Sequence, residues 1–225
     1  MHWLQHELIL DLLDTGIRPV LGAEMLETDD QLIIDEFLKG IINDDKFESS
    51  ATLWPNHFTD YHPLLITARE RELAFIATNI PRRYASFVYQ RGLKALEDLS
   101  LEAKEFLPPL PVPFDVSLPG YNAMLSMGGN HSLETLPMAQ AIRDATMAHF
   151  ISANLNEEVP FVHFNGTYHS QDREGIVWYL QNSNPDLEIL TIHSHMQANV
   201  FPPDTNAVGR GTYLLITNER MTRTH

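Results

Sequence analysis

Leu4, Leu8, Ile9, Leu12 and Leu13 recur at helical spacing, so the first apolar stripe predicts an amphipathic helix over residues 3–14, closed near Gly16. A short apolar run follows from Arg18 to Met25, read as a strand that ends on a carboxylate, Glu24. The pattern then turns helical again. Thr28 and Gln31 have capping-box spacing, Leu32, Ile33 and Phe37 form the apolar face with Leu38 flanking it, and Gly40 sits at the stop.

This strand-then-helix step repeats. Pro63 can open a helix through Leu64, Leu65 and Ala68, residues 74–78 read as a buried strand, and Asn79-Ile80-Pro81 breaks it. Residues 82–99 predict a helix interrupted at Gly92. The stretch 107–120 holds five prolines and is expected to be irregular, a long crossing segment or lid. Residues 137–154 predict a helix with Ile142, Ala145, Ala148 and Ile151 on one side. A strand over 161–165 runs into Gly166-Thr167-Tyr168-His169, a short helix covers 175–181, and strands are expected at 188–193 and 212–217. No internal repeat or low-complexity tract is present. The alternation predicts an α/β fold, a three-layer sandwich with a mostly parallel central sheet flanked by helices, in a single domain over residues 1–225.

Composition narrows the function classes. Thirty acids against fifteen bases give a net charge of −15. Such a field repels phosphate backbones and anionic lipid, which argues against nucleic-acid binding while leaving room for a local basic pocket at Arg82-Arg83. The absence of cysteine removes disulfides, thiolate metal sites and cysteine nucleophiles. No window approaches eighteen consecutive apolar residues, so no membrane span is expected. The first residues lack a basic region, and Glu7, Asp11 and Asp14 interrupt the apolar run, so no signal peptide is expected either.

In open parallel sheets, ligands bind beyond the carboxyl ends of the strands. Were the strands parallel, that edge would gather Glu24, Asn79 with Arg82 beyond it, Asn165 with His169 beyond it, and His193 with His195. Each also has a plainer reading. Glu24 could cap the following helix, Asn79 suits a turn, and His169 suits a loop. Arg82 and Arg83 could be a solvated first helical turn, although cations there oppose the helix dipole and so favour an anion nearby. Asp144 shares a helix face with Gln140 and could face either the site or solvent. His131 lies in a glycine-rich loop, and His2, His6, His57, His62, His149 and His163 read as surface or core residues. The signatures GxGxxG, HExxH and GxSxG and the P-loop are all absent.

Leu21-Gly22-Ala23-Glu24-Met25-Leu26, with Asp30-Gln31 and residues 35–40 downstream, resembles the GxEMF…Q…(D)xYLxG segment of ChaN-type proteins of the Tiki superfamily. Residues 61–70 resemble YxPLLxxAxE, residues 77–82 resemble ALNxPR, residues 140–148 resemble QxxRDxxMA, and residues 165–169 match NGxxH. The family's opening strand, ending in GExH, would lie before His2-Trp3-Leu4-Gln5, so an N-terminally incomplete domain is expected. The resemblance implies a lipoprotein-like, haem-binding protein of bacterial iron and haem uptake at the cell envelope or periplasm, with a homodimer as the expected assembly. It implies a tyrosine ligand, for which loop position nominates Tyr168 and Tyr121. Arg82 is the candidate partner for a haem propionate, and Asn79, Asn165 and Asp144 complete the candidate set. The alternative is a metal-dependent hydrolase in which Glu24 and His169 act as ligand or general base, with Glu24, His169 and His193 holding a divalent ion.

Overall fold

In the computed structural model, which describes residues 2–126 and 134–221, the N-terminal stripe forms α1 (His2–Asp14) and leads into β1 (Val20–Glu27). β1 is the centre of a three-stranded sheet. β2 (Phe75–Asn79) lies on one side of it and β3 (Phe161–Phe164) on the other, both parallel to it. Gly22 permits this spacing, because a Cβ there would meet the Phe161 ring at 2.7 Å.

The two faces of this sheet bury different cores. Leu21, Ala23, Phe75, Ala77 and Phe164 point into a cluster completed by Ile9 of α1, Ile34 and Phe37 of α2 (Gln31–Leu38), and Phe47 of α3 (Asp44–Ser50). Leu64, Leu65 and Ala68 of α4 (His62–Glu70) close it, with a π-helical turn at His57–Tyr61 just before that helix. Fully burying a side chain such as Phe37 or Leu64 contributes roughly 2 kcal/mol. The other face meets α8 (Leu136–Ala153). α8 in turn packs on α5 (Arg82–Arg91), which ends at Gly92, and on α9 (Ile176–Ser183). A helical layer therefore covers each face, and the fold is α/β with a parallel sheet between helices. Among the described residues no helix is long and apolar enough to cross a membrane.

The proline-rich stretch runs from α6 (Leu101–Lys104) to α7 (Pro119–Met124), and only its last two residues are helical. Three other expectations are corrected. Thr28 is not a helix cap: residues 28–30 form a 3-10 turn and the Thr28 hydroxyl donates to the Phe106 carbonyl. Gln31 turns away as well. Its amide nitrogen donates to the Phe75 carbonyl at 3.1 Å and its oxygen accepts from the Ala77 N–H at 2.7 Å, so one side chain covers the outer edge of β2. The strand expected at 188–193 begins later, as β4 (Ile192–Gln197), and pairs in parallel with β5 (Tyr213–Asn218) in a separate two-stranded sheet. His193 and His195 therefore do not stand at the end of the first sheet.

Candidate functional site

β1 does not stop at Glu24. The ladder to β2 breaks after Ala23 and resumes at Glu27 opposite Asn79, so Glu24 sits in a backbone irregularity at the carboxyl end of the sheet. Its side chain is pinned from two sides. Oε2 accepts the Gly166 N–H at 2.6 Å, and Oε1 lies 3.2 Å from His169 Nε2. On the opposite side of the ring, His169 Nδ1 lies 2.5 Å from Asp144 Oδ1. The second Asp144 oxygen accepts the Tyr121 hydroxyl at 2.7 Å. A buried chain of polar groups thus runs from the end of β1, through a loop histidine, to α8 and then to α7.

Protonation follows from this arrangement. Burial alone would push the His169 imidazole down, but Asp144 and Glu24 on its two nitrogens drive it up to about 10. The ring is therefore held as an imidazolium between two carboxylates, bonded to Asp144 through Nδ1 and ion-paired with Glu24 through Nε2. Burial works to raise Glu24, yet His169 and the Gly166 N–H bring it below the usual carboxylate value. Asp144 is fully buried, and that burial raises its carboxyl despite His169. The Gln140 amide lies over the ring, with its terminal atom 2.9 Å from Nδ1. Because an imidazolium offers no lone pair at Nδ1, that position suits the amide oxygen rather than its nitrogen.

Local geometry explains why this loop can fold so tightly. Asp172 and Arg173 have φ of 58° and 60°, and Gly175 has φ of 56°. A Cβ on Gly175 would sit 2.5 Å from the His169 carbonyl oxygen and 3.1 Å from Asp144 Oδ2. Glycine at 175 lets α9 start directly behind the histidine.

Asp144, Glu24, His169 and Tyr121 are brought together. The two tyrosines differ sharply. Tyr121 is 3% exposed and its phenol is driven upward, by burial first and then by the Asp144 charge, so it stays protonated. Tyr168 is 64% exposed, one residue before the clamped His169. Asn165 stands beside them, with its amide donating to the Gly166 carbonyl and the Ser170 hydroxyl at 2.9 Å each. Asn79 is buried, donates to the Glu24 carbonyl at 2.8 Å, and leaves its own Oδ1 without a partner among the described residues. Arg82 lies at the same edge. Its Nε meets Glu27 Oε1 at 2.6 Å while Glu27 Oε2 accepts its backbone N–H, so the anion anticipated at this helix start is the protein's own Glu27. More than half of the Arg82 side chain faces solvent. His193 belongs to the second sheet, packed against Gly211. His131 lies outside the described residues. Among the described residues no group of three or more His, Cys, Asp or Glu side chains is arranged to hold a metal ion.

Three contributors escaped sequence reasoning. Gly166 enters through its backbone N–H, which no side-chain pattern reports. Glu27 takes the role expected of an external anion. The sequence presents His163 as an ordinary surface or core histidine. It bonds Thr78 at 2.8 Å and Asn165 at 3.0 Å, and burial pushes its imidazole down to about 4. The spacing of His163 and Asn165, two apart at the end of a strand, was the available signal.

Comparison with known proteins agrees with this architecture. The family model described as haem-binding uptake, Tiki superfamily, ChaN matches residues 1–180. No curated protein matches the chain. A solved structure described as cofacial heme binding to ChaN of Campylobacter jejuni superposes with a TM-score of 0.62 at 16% identity, over 85% of this chain and 75% of that one.

Proposed function

Because the chain belongs to the ChaN family of haem-binding uptake proteins in the Tiki superfamily, we propose that it binds haem at the carboxyl edge of its three-stranded sheet, with Tyr168 as the iron ligand. The observation that carries this reading is the exposure of Tyr168 on a turn held from beneath by Glu24, His169 and Asp144. A tyrosinate is an effective ligand for ferric haem iron, and the Tyr168 hydroxyl makes no hydrogen bond among the described residues that binding would have to break. The donor set therefore fits the group. When bound, haem would supply a ferric centre and two propionates. Tyr121 is unsuited to ligation, because its phenol is committed to Asp144. Arg82, anchored through Nε but half in solvent, is the proposed partner for a propionate. Tyr168 would supply one ligand to the iron, and a second copy of the chain is proposed to complete the site. Iron and haem uptake at the bacterial cell envelope is the physiological setting proposed with it.

The hydrolytic alternative draws no support from this geometry. A general base needs a lone pair of adequate basicity, whereas His169 is held as an imidazolium between Asp144 and Glu24, and Glu24 is held below the usual carboxylate range by His169 and the Gly166 N–H. His193, the third ligand of that scheme, belongs to the other sheet.

Visible spectroscopy tests the haem reading. Titration with ferric haem should give a saturable Soret band together with the charge-transfer absorption of a tyrosinate ligand. Tyr168→Phe should abolish the charge-transfer feature and weaken binding by at least tenfold, about 1.4 kcal/mol or more. An unchanged spectrum in Tyr168→Phe would remove this residue from the ligand position.

A further inference from the structure

Tyr121 lies in α7, at the end of the crossing segment, and makes no contact with the outer surface where Tyr168 stands: its side chain is almost wholly buried. Its hydroxyl nevertheless ends on the same carboxylate that orients His169. Asp144 accepts Tyr121 through Oδ2 and faces His169 Nδ1 through Oδ1. His169 also closes the turn behind Tyr168, with its N–H donating to the Gly166 carbonyl at 3.1 Å. Two further bonds fasten the crossing segment to the same layer. The Tyr179 hydroxyl donates to the Pro113 carbonyl at 2.6 Å, and the Gly120 N–H donates to Glu174 Oε2 at 2.6 Å.

These bonds place residues 113–121 and residues 166–169 on opposite sides of one buried carboxylate. A carboxylate has a single plane. If one oxygen loses its donor, the group is free to rotate about its χ angles, and the other oxygen no longer holds its partner in place.

We propose that Tyr121 is a positioning residue, acting through Asp144 and His169 to fix the turn that presents Tyr168, so that the crossing segment controls the ligand turn through one buried carboxylate. The inference rests on the functional reading above for its consequence in haem binding. The coupling between the two segments belongs to the haem-free protein as well.

The test is hydrogen exchange on the haem-free chain, followed by haem titration, for wild type and Tyr121→Phe, which removes one oxygen atom. Exchange at the Gly166 and His169 amides should accelerate by about tenfold, the effect of losing one buried hydrogen bond. Haem affinity should fall by a similar factor while the tyrosinate absorption keeps its position. Acceleration confined to residues 107–124, with Gly166 and His169 unchanged, would overturn the coupling. Loss of the tyrosinate absorption in Tyr121→Phe would overturn it too, by making Tyr121 itself the ligand. A wild-type chain that binds no haem would sink the functional reading, and the exchange result would still decide the coupling. Should Tyr121→Phe fold poorly, Tyr179→Phe loosens the same segment at Pro113 and carries the same expectation.

Discussion

Three histidines, His57, His163 and His169, depart from their ordinary titration in opposite directions, and the sign decides how each affects stability. Burial and the neighbouring His62 push His57 down to about 4, and burial does the same to His163. Such groups bind protons more readily unfolded than folded. Their contribution is complete above pH 6.5 and is lost as pH falls towards 4, by up to about 3 kcal/mol each. His169 behaves oppositely. Raised to about 10 between two carboxylates, it contributes fully below pH 6.5, and that contribution drains away as pH rises through 10. Asp144, raised by burial, shares the alkaline direction, since its contribution is lost as pH climbs above 3.8. The urea midpoint should therefore peak near neutrality. His57→Leu should flatten the acid side of that curve, and His169→Gln the alkaline side. An alkaline decline that persists undiminished in His169→Gln would show that the imidazolium is not its source.

Among elements, β2 shows how a side chain can finish what a strand leaves open. Gln31 meets an acceptor and a donor two residues apart on the outer edge of β2. Gln31→Ala should cost about 1–3 kcal/mol by stranding both groups. Gln31→Glu should be nearly as costly, because a carboxylate cannot donate to the Phe75 carbonyl. Thermal denaturation of the two variants checks this, and a Gln31→Glu protein as stable as wild type would mean that water serves the carbonyl equally well. The role was hidden in the sequence, where the spacing to Thr28 suggested a cap. Helices were far more legible. Residues 3–14 and 137–154 were expected and α1 and α8 match them within a residue, because helical periodicity is a local signal. Strand pairing is not local. The apolar residues around β4 gave no sign of which strand they would join. The site was legible for similar reasons only in part: Glu24 lies near the carboxyl end of β1 and Asn165 and His169 just beyond β3, whereas the burial of Asp144 depends on a partner 25 positions away.

For the molecule as a whole, the net charge of −15 is a standing repulsion. Ion pairs such as Arg82 with Glu27 and Arg83 with Asp29 relieve it locally, but both arginines are half exposed, so each pair contributes little. The long-range part falls away as the Debye length shrinks from about 30 Å at 0.01 M salt to about 8 Å at 0.15 M. Calorimetry should record a rise of a few degrees in Tm over that range. A fall would mean that the local pairs outweigh the collective field.

The division into two sheets has a mechanical meaning. Three hydrogen bonds that fasten the region around β4 and β5 to the rest run through the turn after His169. The Asp172 N–H donates to the Arg210 carbonyl, Arg210 reaches the Gln171 side chain, and Arg173 reaches the Ile189 carbonyl. Residues 171–173 work as a rivet. Tension applied at the C-terminal end would be delivered two to four positions beyond His169, directly behind the tyrosine turn, before it loaded any strand of the first sheet.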